Sequence, residues 1–173
     1  MGDDMNEIAF HEAGHAVVLR HFGISLACVR ICGPRGRMPG GGSTKPDPNG
    51  PHVHLNGENQ ALVCLAGFAA ECEYRQRAGE PPKGWNEFKE NDRYYCDRRC
   101  ARKAVEPCLS PEEDDDGEYQ DGLIKRELAR AQQLIAKPAY WQAVIELANK
   151  LIATRTVDGT TAMMIIDAQL EGR

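Results

Sequence analysis

Residues Ala61 to Ala70, Ala-Leu-Val-Cys-Leu-Ala-Gly-Phe-Ala-Ala, form a run without one polar side chain. A helix through such a run has no polar face to turn toward water, so it belongs at the centre of a domain with other elements packed around it. Asn56 or Asn59 supplies a capping start, and the helix runs to about Ala78, ahead of a break at Gly79 to Gly84. The run is about half of the roughly 20 residues needed to cross a bilayer, which points to burial in protein rather than in lipid. Glu71 follows it directly. An acid inside an apolar helix needs a partner, and this marks Glu71 as a candidate site residue.

The segments on either side predict a mainly α chain with a small β element. Asp3 or Asp4 can cap a first helix whose apolar positions reach Phe22, with Gly23 as its stop. Ser25 to Cys32, short and rich in small and β-branched residues between Gly23 and Gly33-Pro34, reads as a strand. Residues 33–57 carry seven glycines and five prolines and predict a loop or short hairpin. Glu87 to Val105 is polar with good helix formers. Pro107, Pro111 and the acidic run Glu112 to Asp116 read as an exposed linker. Three amphipathic helices follow, about 119–136, 139–154 and 159–170, divided at Pro138 and at Asp158-Gly159. At 173 residues this is about one domain. Its site-bearing part covers about 1–108 and its C-terminal helices about 119–171.

Charge and cysteine usage narrow the function classes. The net charge of -5 lacks the excess of Lys and Arg that nucleic-acid binding requires. The basic cluster Arg98, Arg99, Arg102 and Lys103 reads as a solvated helix face. Asp3, Asp4 and Glu7 leave the N-terminus without a basic signal-peptide region, so a cytoplasmic location without membrane association is expected. The seven cysteines are then expected to be reduced thiols used as small apolar residues. Neither Cys28/Cys32 nor Cys96/Cys100 has the CxxC spacing of a zinc site.

The first helix contains His11-Glu12-Ala13-Gly14-His15, an HExxH sequence. Residues four apart share a helical face, so both imidazoles can reach one metal ion, while Glu12 can approach a water at that metal. Chance predicts roughly 0.01 such matches in a chain of this composition. His11 and His15 also lie on the apolar line Ile8, His11, His15, Leu19, Phe22. A buried imidazole pair without a partner costs desolvation, and a metal ion supplies the partner. A catalytic zinc site needs a third protein ligand, and spacing alone leaves it open. His21 stands where HExxHxxGxxH would put it, but Val18 occupies the required glycine position. Glu71 and Asp92 are acidic alternatives.

Three runs in order carry a resemblance: Ala9-Phe-His-Glu-Ala-Gly-His-Ala-Val-Val18, Leu65-Ala-Gly-Phe-Ala-Ala-Glu71 and Glu90-Asn-Asp92. They are similar to the zinc helix, the Leu-Gly-Gly-Arg-Ala-Ala-Glu run and the Glu/Ser-Asn-Asp run of the FtsH-type ATP-dependent zinc metalloproteases. Ile145 to Ile152 with Val157-Asp-Gly159 also resembles that family's closing helices. The resemblance implies a helical, zincin-like peptidase domain with zinc held by His11, His15 and Asp92, and Glu12 as general base. It implies for Glu71 a hydrogen bond that orients a ligand. It also matches the strand at Cys28 to Cys32 to one beside the active site, whose exposed edge pairs with an extended peptide. The longer stretch between Glu71 and Asp92 leaves Glu90 and Asp97 as fallback ligands.

The chain departs from the family in carrying no GxxxxGK[ST] sequence and no transmembrane helix ahead of the HExxH, and in having Phe68 in place of the central arginine. The expectation is therefore a zinc metalloendopeptidase that acts on unfolded or extended polypeptides without binding ATP, as a homo-oligomer or beside a separate unfoldase. The alternative is a zinc-binding interaction or regulatory protein of the same fold without turnover. His52, His54, Tyr94 and Tyr95 are the candidates for an extra oxyanion donor.

Overall fold

The computed structural model describes residues 3–32, 41–51, 53–109 and 117–170, with side chains from residue 5 onward. Several sequence expectations fall outside these residues: the side chains of Asp3 and Asp4, the Gly33-Pro34 turn, His52, and the acidic run Glu112 to Asp116 with Pro111. Helices dominate the described residues, in the order α1 (Asp3–His21), α2 (Gly57–Arg77), α3 (Trp85–Glu90), α4 (Tyr95–Val105), α5 (Glu118–Ile135), α6 (Pro138–Thr154) and α7 (Gly159–Leu170). A small sheet is formed by β1 (Leu26–Ile31), β2 (Gly42–Pro46) and β3 (Thr156–Asp158). No described helix is long and apolar enough to cross a membrane.

The apolar run does occupy the centre. α2 is buried from Ala61 through Cys72 except at Val63, and it packs against α1, α4 and α5. Its start is set by Asn56, whose side chain accepts from the Asn59 N–H at 2.8 Å. α1 lies against α2 with the backbones in close contact. A Cβ on Gly14 would fall 2.6 Å from the Ala66 carbonyl oxygen and 2.7 Å from the Ala70 Cβ. Only a glycine allows that approach. α6 covers the other side of α1, and α7 folds back over β1.

Two elements differ from the sequence expectation. The segment expected as one helix over Glu87 to Val105 breaks at Asn91, which takes an extended backbone and accepts from the Arg93 N–H at 3.0 Å. A short polar side chain that bonds its own backbone competes with helix continuation, and here it opens a 3₁₀ turn, Asp92–Tyr94, that leads into α4. The second difference is β3, three residues entered through Arg155 at φ 65°. Because β3 and β2 both pair antiparallel with β1, the sheet order is β2-β1-β3. The strand expected to offer an exposed edge is therefore paired on both sides. The edges belong to β3 and to β2, the latter in register Val29↔Thr44 and Ile31↔Gly42 with β1 and bordering the His11–His15 site.

The cysteine expectation also changes. Cys64 on α2 and Cys100 on α4 form a disulfide with Cα atoms 6.0 Å apart. The other five cysteines are free.

Candidate metal centre

α1 presents His11 and His15 one turn apart, with their Nε2 atoms 3.1 Å from each other. α4 brings Asp97 to the same point: Oδ2 lies 3.1 Å from His11 Nε2 and Oδ1 3.7 Å from His15 Nε2. One ligand atom from each of the three side chains lies within 4.8 Å of the other two. The opposite ring nitrogens are occupied. His11 Nδ1 is 2.7 Å from Glu71 Oε1, and His15 Nδ1 is 2.8 Å from the Val63 carbonyl oxygen. A hydrogen bond at Nδ1 fixes the ring and turns Nε2 toward the shared point, as a metal-ligating histidine requires.

The donor set fits a zinc ion. Two imidazole nitrogens and a carboxylate oxygen would supply the three protein ligands that a catalytic zinc ion commonly takes. The wall behind the rings is bare because it is Gly67, where a Cβ would fall 2.5 Å from His15 Nε2 and 2.6 Å from His11 Nε2. A side chain there would displace both imidazoles.

Asp92 does not join this group. It is exposed at the start of the 3₁₀ turn, and Glu90 is exposed at the end of α3. Asp97, a fallback in the sequence analysis, is the acid that reaches the histidines, because it lies in the first turn of α4 and that helix packs on α2. His21 is engaged elsewhere, 2.7 Å from the Tyr140 hydroxyl. Glu12 is 6% exposed, and the Thr44 hydroxyl, 2.8 Å from its Oε2 and 2.9 Å from its carbonyl oxygen, can donate to either.

Glu71 is fully buried, and four donors surround its carboxylate. Oε1 faces His11 and Arg93 Nη2, the latter at 3.2 Å; Oε2 faces Lys83 Nζ at 2.5 Å and the Tyr94 hydroxyl at 2.7 Å. Tyr94, one of the residues considered as an oxyanion donor, is thus committed to Glu71, while Tyr95 and His54 are exposed. Lys83, Thr44 and Glu7 were invisible as site residues in the sequence. No local motif marks them: Lys83 and Thr44 meet the site from distant segments, and Glu7, one turn before His11 on α1, joins it through Lys83 and Arg93.

Charge around the pair is strongly coupled. Burial lowers the pKa of His11, but hydrogen bonds and charge from Asp97 and Glu71 outweigh it and raise the value to about 10. His15 is likewise raised: burial opposes the shift, and Asp97 drives it. For Glu71 burial pushes upward, yet the bond to His11 and the Arg93 and Lys83 charges hold it at about 2. Asp97 is held well below the usual carboxylate range by the two histidines, against its own burial. Two carboxylates here favour positive charge at the imidazoles, which a proton or a metal ion can supply.

The site opens on both sides. A cleft of about 300 Å³ borders His11, Glu12, His15, Thr44, Cys64 and Cys100. A second, of about 130 Å³, borders His11, Glu12, Gly42, Arg93, Cys96 and Asp97. Gly42 lines both. Comparison with models of protein families gives no match, and comparison with curated proteins gives none either.

Proposed function

We propose that the chain is a zinc metalloendopeptidase that hydrolyses peptide bonds of unfolded or extended polypeptides. The observation that carries this reading is the convergence of His11, His15 and Asp97 within 4.8 Å, with the Glu12 carboxylate on the same cleft. His11, His15 and Asp97 would hold the ion, and Glu71 and the Val63 carbonyl would aim the imidazoles. Zinc bound there supplies Lewis acidity, which acidifies a water and polarises a carbonyl oxygen. Glu12 takes the proton of the attacking water and delivers it to the amine leaving group. The Thr44 hydroxyl steadies Glu12, and the β2 edge pairs with an extended peptide lying along the cleft. In this reading the fold is zincin-like and akin to the FtsH-type peptidase domain, with Asp97 in the ligand role the resemblance gave to Asp92. Folded substrates reach the cleft only after a separate unfoldase has opened them.

The test is cleavage of denatured casein, without ATP, by zinc-loaded wild type and by Glu12→Gln. Cleavage by the wild type alone, with zinc retained by both, is the expected result. Zinc retained by both with cleavage by neither would replace this reading with a zinc-binding interaction protein.

A further inference from the structure

Lys83 sits in the loop between α2 and α3 with 4% of its side chain exposed. Its ammonium meets three oxygens: Glu71 Oε2 at 2.5 Å, the Tyr94 hydroxyl at 2.7 Å and Glu7 Oε2 at 2.9 Å. All three of its donors are used. Arg93 ties the same two carboxylates together, with Nη1 3.1 Å from Glu7 Oε2 and Nη2 3.2 Å from Glu71 Oε1. Buried ion pairs of this kind are a poor source of stability, because apolar residues of the same volume are often as stable or more so. What apolar residues cannot do is hold a carboxylate in one orientation. Glu71 has one oxygen committed to His11, and the other is pinned from behind by Lys83 and Tyr94. With Oε2 pinned, the carboxylate cannot rotate, and Oε1 stays aimed at His11 Nδ1.

We infer that Lys83 is a positioning residue of the metal centre, acting through Glu71 to hold the His11 ring in its ligating orientation. The inference rests on the reading that His11, His15 and Asp97 take a metal, but not on turnover. Lys83 is 72 positions from His11 and touches none of the three proposed ligands. Loss of an outer partner of a metal-bound histidine lowers metal affinity about 10–100-fold, and Lys83 stands one bond further out, so the lower half of that range is expected.

The experiment uses metal-free full-length protein, titrated with zinc against a chromophoric chelator and separately with cobalt, whose visible bands report the geometry of the ligand set. Lys83→Met is expected to bind zinc about tenfold more weakly than wild type and to shift the cobalt bands. In a Glu71→Gln background the same substitution is expected to add less than about threefold, because two residues acting in one chain of contacts are not additive. Lys83→Gln serves in its place if circular dichroism shows Lys83→Met to be unfolded. Wild-type affinity with an unshifted cobalt spectrum overturns the inference, and so does a full additional loss in the Glu71→Gln background. Wild type that binds neither ion overturns the metal-centre reading and this inference together. Wild type that binds zinc without cleaving casein overturns the peptidase reading alone.

Discussion

The choice between Asp92 and Asp97 is five positions of chain, and it is the sharpest residue-level question. Asp97→Ala removes a ligand oxygen and is expected to weaken zinc by more than the roughly 100-fold that loss of an outer partner can cost. Asp92→Ala is expected to leave zinc affinity unchanged, since Asp92 is solvent-exposed away from the cluster. Inductively coupled plasma analysis of the dialysed variants and chelator competition check both. Gly67→Ala puts a methyl group where the two Nε2 atoms lie. It is expected to abolish zinc binding and to lower thermal stability as α1 and α2 are pushed apart. The pKa shifts set the pH behaviour of the metal-free protein. His11, raised from 6.5 to about 10, contributes stability that is fully present below pH 6.5 and lost as pH rises toward 10. Glu71, lowered from 4.5 to about 2, contributes stability that is present above pH 4.5 and lost as pH falls toward 2. Urea midpoints of metal-free protein are therefore expected to peak between about pH 4.5 and 6.5. Zinc must displace the His11 proton, which the folded metal-free protein holds up to about pH 10, so zinc affinity is expected to rise with pH up to that value, about tenfold per unit for each proton released.

At the scale of elements, α1, α2 and α4 hold the site, and two covalent or close-packed contacts keep them in place. Gly14 lets α1 approach α2, and the Cys64–Cys100 disulfide ties α2 to α4 across 36 positions. Cys64 adjoins Val63, whose carbonyl orients His15, and Cys100 lies one turn beyond Asp97. Closing a loop of that length removes unfolded-chain entropy worth about 4 kcal/mol. Reduction, or the Cys64→Ser/Cys100→Ser pair, is expected to lower Tm by on the order of 10 °C, readable by calorimetry with and without reductant. Most element bounds were legible beforehand because their causes are local: the apolar run of α2 with its cap at Asn56 or Asn59, settled in the fold as Asn56, Gly23 after α1, and Pro138 at the start of α6. The break at Asn91 was not, since Asn91 has one side-chain bond to gain there and Glu87 to Val105 otherwise favours helix throughout. β3 is three residues long, too short for any periodicity to declare it, and it exists only because β1 lies alongside.

For the whole molecule, the decisive arrangement is a narrow two-sided cleft between α1 and the edge strand β2. A cleft of about 300 Å³ with a strand along its rim suits one extended chain rather than a packed surface. Denatured casein is accordingly expected to be cut while a stably folded protein at the same concentration survives without an unfoldase, a contrast read directly on a gel time course. The HExxH pair, the buried Glu71 and the helical class were set by the sequence alone, because helical periodicity and burial follow from neighbours within a few positions. Everything that completes the site joins segments far apart in the chain. Asp97 meets His11 across 86 positions, Lys83 meets Glu71 from the loop beyond α2, Thr44 meets Glu12 from the edge strand, and Cys64 finds Cys100. No local pattern distinguishes Asp97 from Asp92 or Lys83 from any other lysine. Only the packing of α4 and the α2–α3 loop around α2 decides which of them reaches the His11–His15 site, since hydrogen bonds act over about 3 Å and ignore sequence distance.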